Sequence, residues 1–150
     1  MITVTGLDEL RTLAGKDLGH SSWLEITQDR VDAFAEATGD HQWIHVDVER
    51  AKDGPYGGTI AHGYLTLSLV IPFYTELLEI RDIRMGINYG LDRVRFPHPV
   101  RVGSKIRLAA RVETVADVAG GVQVVLDLTV EVDGVDKPAC VARSVYRYYA

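Results

Sequence analysis

An acidic and a basic side chain lie close together in the stretch Gly-Asp-His-Gln-Trp-Ile-His, which begins at Gly39. Asp40 and His45 are five residues apart just after a predicted helix, so an irregular turn could bring both side chains onto one water molecule. The carboxylate would accept a proton and the imidazole would pass one on. The alternative is structural: Asp40 caps the next turn, and His45 is a partly buried histidine whose ring is hydrogen-bonded.

A second chemical feature is Ala61-His62-Gly63, which follows a glycine-rich loop and opens a long apolar segment. Backbone amides at a helix start have no partner within the helix and lie at the positive end of its dipole. The Gly63 amide could therefore stabilise a developing oxyanion, or Gly63 could be an ordinary glycine at a helix start. His62 could donate a hydrogen bond to a substrate or hold the loop, and we favour the structural role.

A metal site is the other chemistry that histidine spacing suggests, since His41 and His45 are four residues apart, as in zinc proteases. Here Gln42 replaces the acid that would act as general base, Gly39 interrupts the helix, and no third ligand follows. The loop glycines lack the Lys-Ser/Thr ending of a phosphate loop, and Ser68 has no Gly-x-Ser-x-Gly turn around it. We predict neither a metal nor a nucleotide cofactor.

Length and composition indicate one folded domain over residues 1–150, with 47% hydrophobic and 25% charged residues. A net charge of -5 disfavours nucleic acid as a partner. The single cysteine, Cys140, excludes an intrachain disulfide, and the amino terminus has no export signal, so we expect a cytoplasmic protein. Polar residues interrupt the apolar segment after Ile60, which argues against a membrane span.

Two helices are predicted from the hydrophobic periodicity. Thr27 can cap the first, whose apolar residues fall on one face and which ends at Gly39, so that it delivers Asp40. The second runs from about Gly63 to Glu79, with apolar residues all around its axis, and Pro72 is expected to kink it.

After Met85 the hydrophobic period changes to two, which is typical of half-buried antiparallel strands. The predicted strands are Trp23–Ile26, Ile87–Phe96, Lys105–Thr114, Val122–Val132 and Ala139–Tyr149. Asp133-Gly134 predicts a tight hairpin turn before the last strand. A buried helix needs a cover, so we predict the α+β class: a curved antiparallel sheet of about five strands wrapped around one long central helix.

These motifs together resemble the MaoC-like dehydratases, or (R)-specific enoyl-CoA hydratases, which have the hot-dog fold. The family's motif reads Asp-x-Asn-Pro-x-His, then a glycine-rich loop, then Ala/Val-His-Gly. Asp40 to His45 and Ala61 to Gly63 match it in order, and Val94 to Ser104 resembles the family's Phe-x-x-Pro-Val-x-x-Gly-Asp strand and turn. Gln42-Trp43 in place of Asn-Pro looks like the NodN-like branch, in which Asp-His-Gln-Trp-Ile-His is usual.

The resemblance implies reversible addition of water to a trans-2-enoyl thioester of coenzyme A, giving an (R)-3-hydroxyacyl thioester. Asp40 and His45 would be catalytic and hold the attacking water, with the roles of acid and base left open. The Gly63 amide would bind the thioester carbonyl, and Gln42 and His62 would be further substrate-site residues. Coenzyme A would enter as part of the substrate, so no cofactor is implied.

The resemblance also implies a homodimer that pairs by sheet edges. Charge and hydropathy, as given above, predict no nucleic acid or membrane partner. Asn88, Tyr89 and Arg93 would then be candidates to reach the substrate from the partner chain. Two other functions stay open: a hot-dog thioesterase that uses Asp40, and a noncatalytic protein that binds acyl thioesters. A thioesterase does not need a pair of residues that holds water, so the presence of both Asp40 and His45 favours hydration.

Overall fold

A computed structural model describes all 150 residues, which form six helices and eight strands. The helices are α1 (Gly6–Arg11), α2 (Gln28–Thr38), α3 (Trp43–Val46), α4 (Val48–Lys52), α5 (Gly63–Ser68) and α6 (Val70–Leu77). The strands are β1 (Ile2–Thr5), β2 (Asp17–His20), β3 (Leu24–Glu25), β4 (Leu78–Arg81), β5 (Met85–Arg95), β6 (Lys105–Val118), β7 (Gly121–Val132) and β8 (Val135–Tyr149). None of the helices has both the length and the apolar character that crossing a membrane requires.

The main sheet is antiparallel and six-stranded, in the order β2-β6-β7-β8-β5, with β3 also paired to β6. Its central strand β7 buries every second side chain against the helical layer, as the period of two predicts. Those residues are Val122, Val124, Leu126, Leu128, Val130 and Val132. The predicted antiparallel sheet is thus confirmed, with one more strand than the five expected.

The loops that connect these strands follow local sequence signals. The hairpin between β7 and β8 consists of Asp133 and Gly134 alone, and Gly134 has a positive φ of 73°, which suits glycine in a two-residue turn. This predicted hairpin is confirmed.

A small parallel sheet was not predicted: β1 pairs with β4, with Ile2 opposite Leu78. The predicted end of the central helix was therefore wrong, because the backbone becomes extended at Leu78 instead of staying helical to Glu79. Each strand has only four residues, too few for a clear period of two, and their partners are far apart in sequence. Pairing of β4 with β1, which is distant in sequence, therefore determines the extended structure at Leu78.

The central helix consists of α5 and α6, which meet at Leu69. Pro72 explains the break, since it has no amide to donate to the carbonyl of Ser68 and its ring crowds that carbonyl. Burial is confined to one face, in contrast to the burial on nearly all sides that we predicted. The buried residues are Leu65, Thr66, Leu69, Val70, Phe73, Tyr74 and Leu77, whereas Tyr64 and Ile71 on the other face are exposed.

Helix α2 begins and ends where the sequence predicts. The Thr27 side chain accepts a hydrogen bond from the Arg30 amide at 3.3 Å, and Gly39 ends the helix with a φ of 79°. Val31 and Ala35 are fully buried and anchor the helix to the core. Asp40 is therefore held at the end of a fixed element.

Candidate active site

The Asp40 side chain is exposed and lies two residues beyond the end of α2. Its Oδ1 accepts a long hydrogen bond of 3.4 Å from the Gln42 amide, which forms a turn across the start of α3. The carboxylate lines a cavity of about 280 Å³ with His45, His62, Gly63, Tyr64 and Phe96. It is thus free to meet a ligand.

His45 lies on α3 and is 6% exposed. Its Nδ1 is 2.7 Å from the main-chain oxygen of Ile60. A carbonyl only accepts hydrogen bonds, so Nδ1 carries the proton and the Nε2 lone pair stays free. Burial lowers the pKa of His45 below its ordinary value of 6.5, and the nearby His62 acts in the same direction, while the Ile60 carbonyl and Asp40 oppose this shift. His45 is therefore neutral near pH 7 and offers a basic nitrogen.

The side-chain donor atoms of Asp40, His45 and His62 all lie within 4.8 Å of one another. Two groups that both bind one water molecule are about 4.5 Å apart, so the cluster has the span of a water site. The same three residues are the candidate ligands for a metal ion. However, the rings of His45 and His62 are stacked at 3.8 Å with 23° between their planes, so their lone pairs do not converge on one point.

Gly63 is the first residue of α5, so its amide has no carbonyl partner within the helix. It lines the same cavity as Asp40 and His45, beside the ring of Phe96. A Cβ at this position would lie 3.3 Å from three atoms of that ring, which is closer than nearly all such contacts. Glycine at position 63 thus allows the Phe96 ring to pack closely against the main chain while the Gly63 amide lies at the cavity.

The comparisons with known proteins agree with this geometry. Residues 9–133 match the family described as MaoC like domain. The chain belongs to the MaoC-like dehydratase family. It is therefore an enzyme of the hydro-lyase class, as the motifs predicted.

Curated relatives of this dehydratase cover nearly its whole length. It is 49% identical to 3-hydroxyacyl-thioester dehydratase Z of Mycobacterium tuberculosis, over 100% of both chains. It is 44% identical to nodulation protein N of Rhizobium leguminosarum bv. viciae, over 91% of this chain and 86% of the relative. The (R)-hydratase from A. caviae has a TM-score of 0.73 at 20% identity, over 89% and 94% of the two chains, which shows the hot-dog fold.

His62 and Gln42 occupy different places in the dehydratase. His62 is buried, and its Nε2 contacts the main-chain oxygen of Asp40 at 3.0 Å, so it holds the loop as we favoured. Gln42 precedes α3, is exposed and uses its amide for the turn with Asp40. The Gln42 side chain does not line the catalytic cavity.

Asn88 lies on β5, away from Asp40 and His45 but on the helical side of the sheet. It lines a separate cavity of about 250 Å³, with residues of α5, α6 and β8. The single chain therefore does not bring Asn88 to the catalytic cluster.

Tyr89 and Arg93, also on β5, lie on the outer face of the sheet. The guanidinium of Arg147 is 3.4 Å from the centre of the Tyr89 ring. Arg147 points away from the helices, because its neighbours in β8, Tyr146 and Tyr148, contact Tyr74 of α6. Arg93 lines an outer cavity with Asp127 and Arg143. Both residues are thus separated from Asp40 and His45 by the sheet.

Sequence reasoning missed three contributions to the site. Phe96 covers Gly63, Tyr64 lines the cavity, and the Ile60 carbonyl fixes the tautomer of His45. The position of Tyr64 directly after Gly63 was a usable signal. The other two depend on contacts between segments distant in sequence, which no local pattern reports.

Proposed function

We propose that the protein is an (R)-specific enoyl-CoA hydratase, which adds water reversibly to trans-2-enoyl-CoA to give (R)-3-hydroxyacyl-CoA. The observation that carries the proposal is the arrangement of three groups. The exposed carboxylate of Asp40 and the neutral imidazole of His45 are close enough to bind the same water molecule, and both lie beside the unpaired amide of Gly63. The 49% identity to 3-hydroxyacyl-thioester dehydratase Z supports a 3-hydroxyacyl thioester as the substrate class.

In the proposed mechanism the thioester carbonyl accepts a hydrogen bond from the Gly63 amide, and Asp40 orients the water. The Nε2 of His45 takes a proton from the water as its oxygen bonds to C3. The C2–C3 π electrons move toward the carbonyl, and the Gly63 amide stabilises the enolate oxygen. The proton on His45 then passes to C2, which restores the neutral imidazole. Asp40 stabilises the imidazolium in between.

No resident cofactor or metal takes part in this mechanism, and coenzyme A enters with the substrate. The test is the loss of conjugated enoyl absorbance with trans-2-butenoyl-CoA and trans-2-octenoyl-CoA, with free thiol measured in parallel. Hydration consumes the absorbance without releasing thiol. Thiol release would indicate a thioesterase, and binding without either change would indicate a noncatalytic protein.

Replacing Gly63 separates the role of its amide from that of its small size. Gly63→Pro removes the amide, and proline is tolerated at the first helical position. His62 already has a φ of -60° and a ψ of 139°, which suits a residue before proline. Gly63→Ala keeps the amide and adds the same contact with Phe96. We expect kcat of the proline variant to be about 10²- to 10³-fold below that of the alanine variant. Equal kcat values would contradict the oxyanion role.

The pH dependence should reflect the lowered pKa of His45. The neutral imidazole is the active form, and its pKa lies below 6.5, so kcat/KM should stay level as the pH falls through 6.5 and decrease only at lower pH. Protonation also favours the unfolded chain, where His45 has its ordinary pKa, so the free energy of unfolding should fall as the pH drops below 6.5. An acid limb centred above 6.5 would contradict this assignment.

The enzyme pairs with a second copy along β5. This strand bonds only to β8, so its other edge is unpaired, and its Tyr89 and Leu91 are exposed. We expect light scattering to give the mass of a dimer, and Leu91→Lys to shift it toward a monomer with reduced activity. We propose that Asn88, which lies on the helical side of β5, contacts the partner's substrate. A stable, fully active monomer would contradict the shared site.

A further inference from the structure

His62 contacts both groups of the proposed acid/base pair. Its Nε2 is 3.0 Å from the main-chain oxygen of Asp40, and its ring is stacked on the ring of His45 at 3.8 Å. The other side of His62 faces Phe34 of α2, at 4.8 Å between ring centres. His62 is 3% exposed, so the ring has little freedom to move.

The two ring nitrogens of His62 have different surroundings. The Asp40 carbonyl accepts, so Nε2 carries a proton. Nδ1 is buried and has no hydrogen-bond partner, the only buried side-chain polar atom without one.

We propose that His62 is a positioning residue for the hydration reaction, an inference that rests on the proposed function. Its Nε2–H fixes the main chain of Asp40, and its ring fixes the plane of His45, which directs the free Nε2 of His45 toward the water. The proton removed from water goes to His45, because its Nε2 is free while its Nδ1 is held by the Ile60 carbonyl. His62 lines the cavity, but its Nε2–H is bonded to the Asp40 carbonyl, so it acts on the reaction through Asp40 and His45.

Three substitutions separate the two contacts. His62→Gln keeps an amide donor near the Nε2 position but loses the stacking, His62→Phe keeps the stacking but loses the donor, and His62→Ala loses both. A misplacement of about 1 Å can cost about 10²-fold, so we expect Gln and Phe each to lower kcat about 10- to 100-fold, and Ala to lower it further. KM should stay within about threefold of wild type, because the substrate contacts are unchanged.

The split between kcat and KM decides the role. A rise in KM at unchanged kcat would mean that His62 binds substrate, and would overturn the proposal. A lower melting temperature with unchanged kcat would mean a purely structural role and would also overturn it. Full activity in the Gln variant would show that stacking on His62 is not needed to orient His45, and would overturn that half of the proposal. His20→Gln and His20→Phe, at an exposed histidine on β2, are the matched controls and should keep wild-type kcat.

Nitrogen NMR of the histidine rings gives a readout that does not depend on turnover. The wild-type protein should show a proton on Nε2 of His62, and at about pH 7 it should show His45 protonated at Nδ1 and bare at Nε2. An Nε2 of His62 without a proton would overturn the proposal. If wild type hydrated no enoyl-CoA, the proposed function would fail separately, and the NMR result alone would uphold or overturn the arrangement of the two rings.

Discussion

Asp40→Asn is expected to lower kcat by about 10²- to 10⁴-fold and to leave the fold intact. Asparagine has the same shape but carries no negative charge, so it cannot stabilise the imidazolium that forms on His45. The Asp40 side chain is exposed, and its hydrogen bond, to the Gln42 amide, can be kept by the asparagine oxygen. Steady-state kinetics and thermal unfolding measure the two effects.

Asp53→Asn is the matched control for this substitution, since Asp53 is an exposed aspartate after α4 and does not line the catalytic cavity. It should keep wild-type kcat. Near wild-type turnover in Asp40→Asn would show that the carboxylate is not part of the chemistry.

His45→Asn is expected to lower kcat by a similar factor of about 10² to 10⁴. The asparagine amide can still donate to the Ile60 carbonyl, as Nδ1 of His45 does at 2.7 Å, but it has no basic nitrogen in place of Nε2. This variant therefore removes the base and keeps the structural hydrogen bond.

His45→Ala removes both the base and the structural hydrogen bond. Leaving the buried Ile60 carbonyl without its donor should lower the free energy of unfolding by about 1–3 kcal/mol relative to wild type. We expect both variants to be inactive, with Asn the more stable in chemical denaturation. An active Asn variant would mean that His45 is structural, which is the alternative that the sequence left open.

The parts of the fold that were predictable are those whose signals are local. Thr27 and Gly39 mark the ends of α2 because a side-chain cap and a left-handed residue act within one turn. The alternation from Val122 to Val132 predicts β7 because each side chain's direction follows from its position in the strand.

The errors in the predicted fold came from contacts between distant segments. Leu78 continues an apolar helical pattern, yet it is extended because β1 offers a parallel partner. The hydrophobicity of Ile71 suggested burial, yet Ile71 is exposed, because the rest of the chain packs only against the opposite face of the central helix.

The candidate site follows the same division between local and distant signals. Asp40, His45 and Gly63 were identified from residue types and their order in the motif. The stacking of His62 on His45 and the bond to the Ile60 carbonyl were not, because each joins His45 on α3 to the segment before α5. Spacing within a motif does not report such contacts.

The most direct test of the account is the change in enoyl absorbance when the purified enzyme meets trans-2-butenoyl-CoA and trans-2-octenoyl-CoA, with Asp40→Asn measured beside it. We predict rapid loss of absorbance, no release of thiol, an (R)-3-hydroxyacyl product, and near-complete loss of the reaction in the variant. No change in absorbance with either substrate, for a folded protein that binds acyl-CoA, would contradict the proposed hydratase activity.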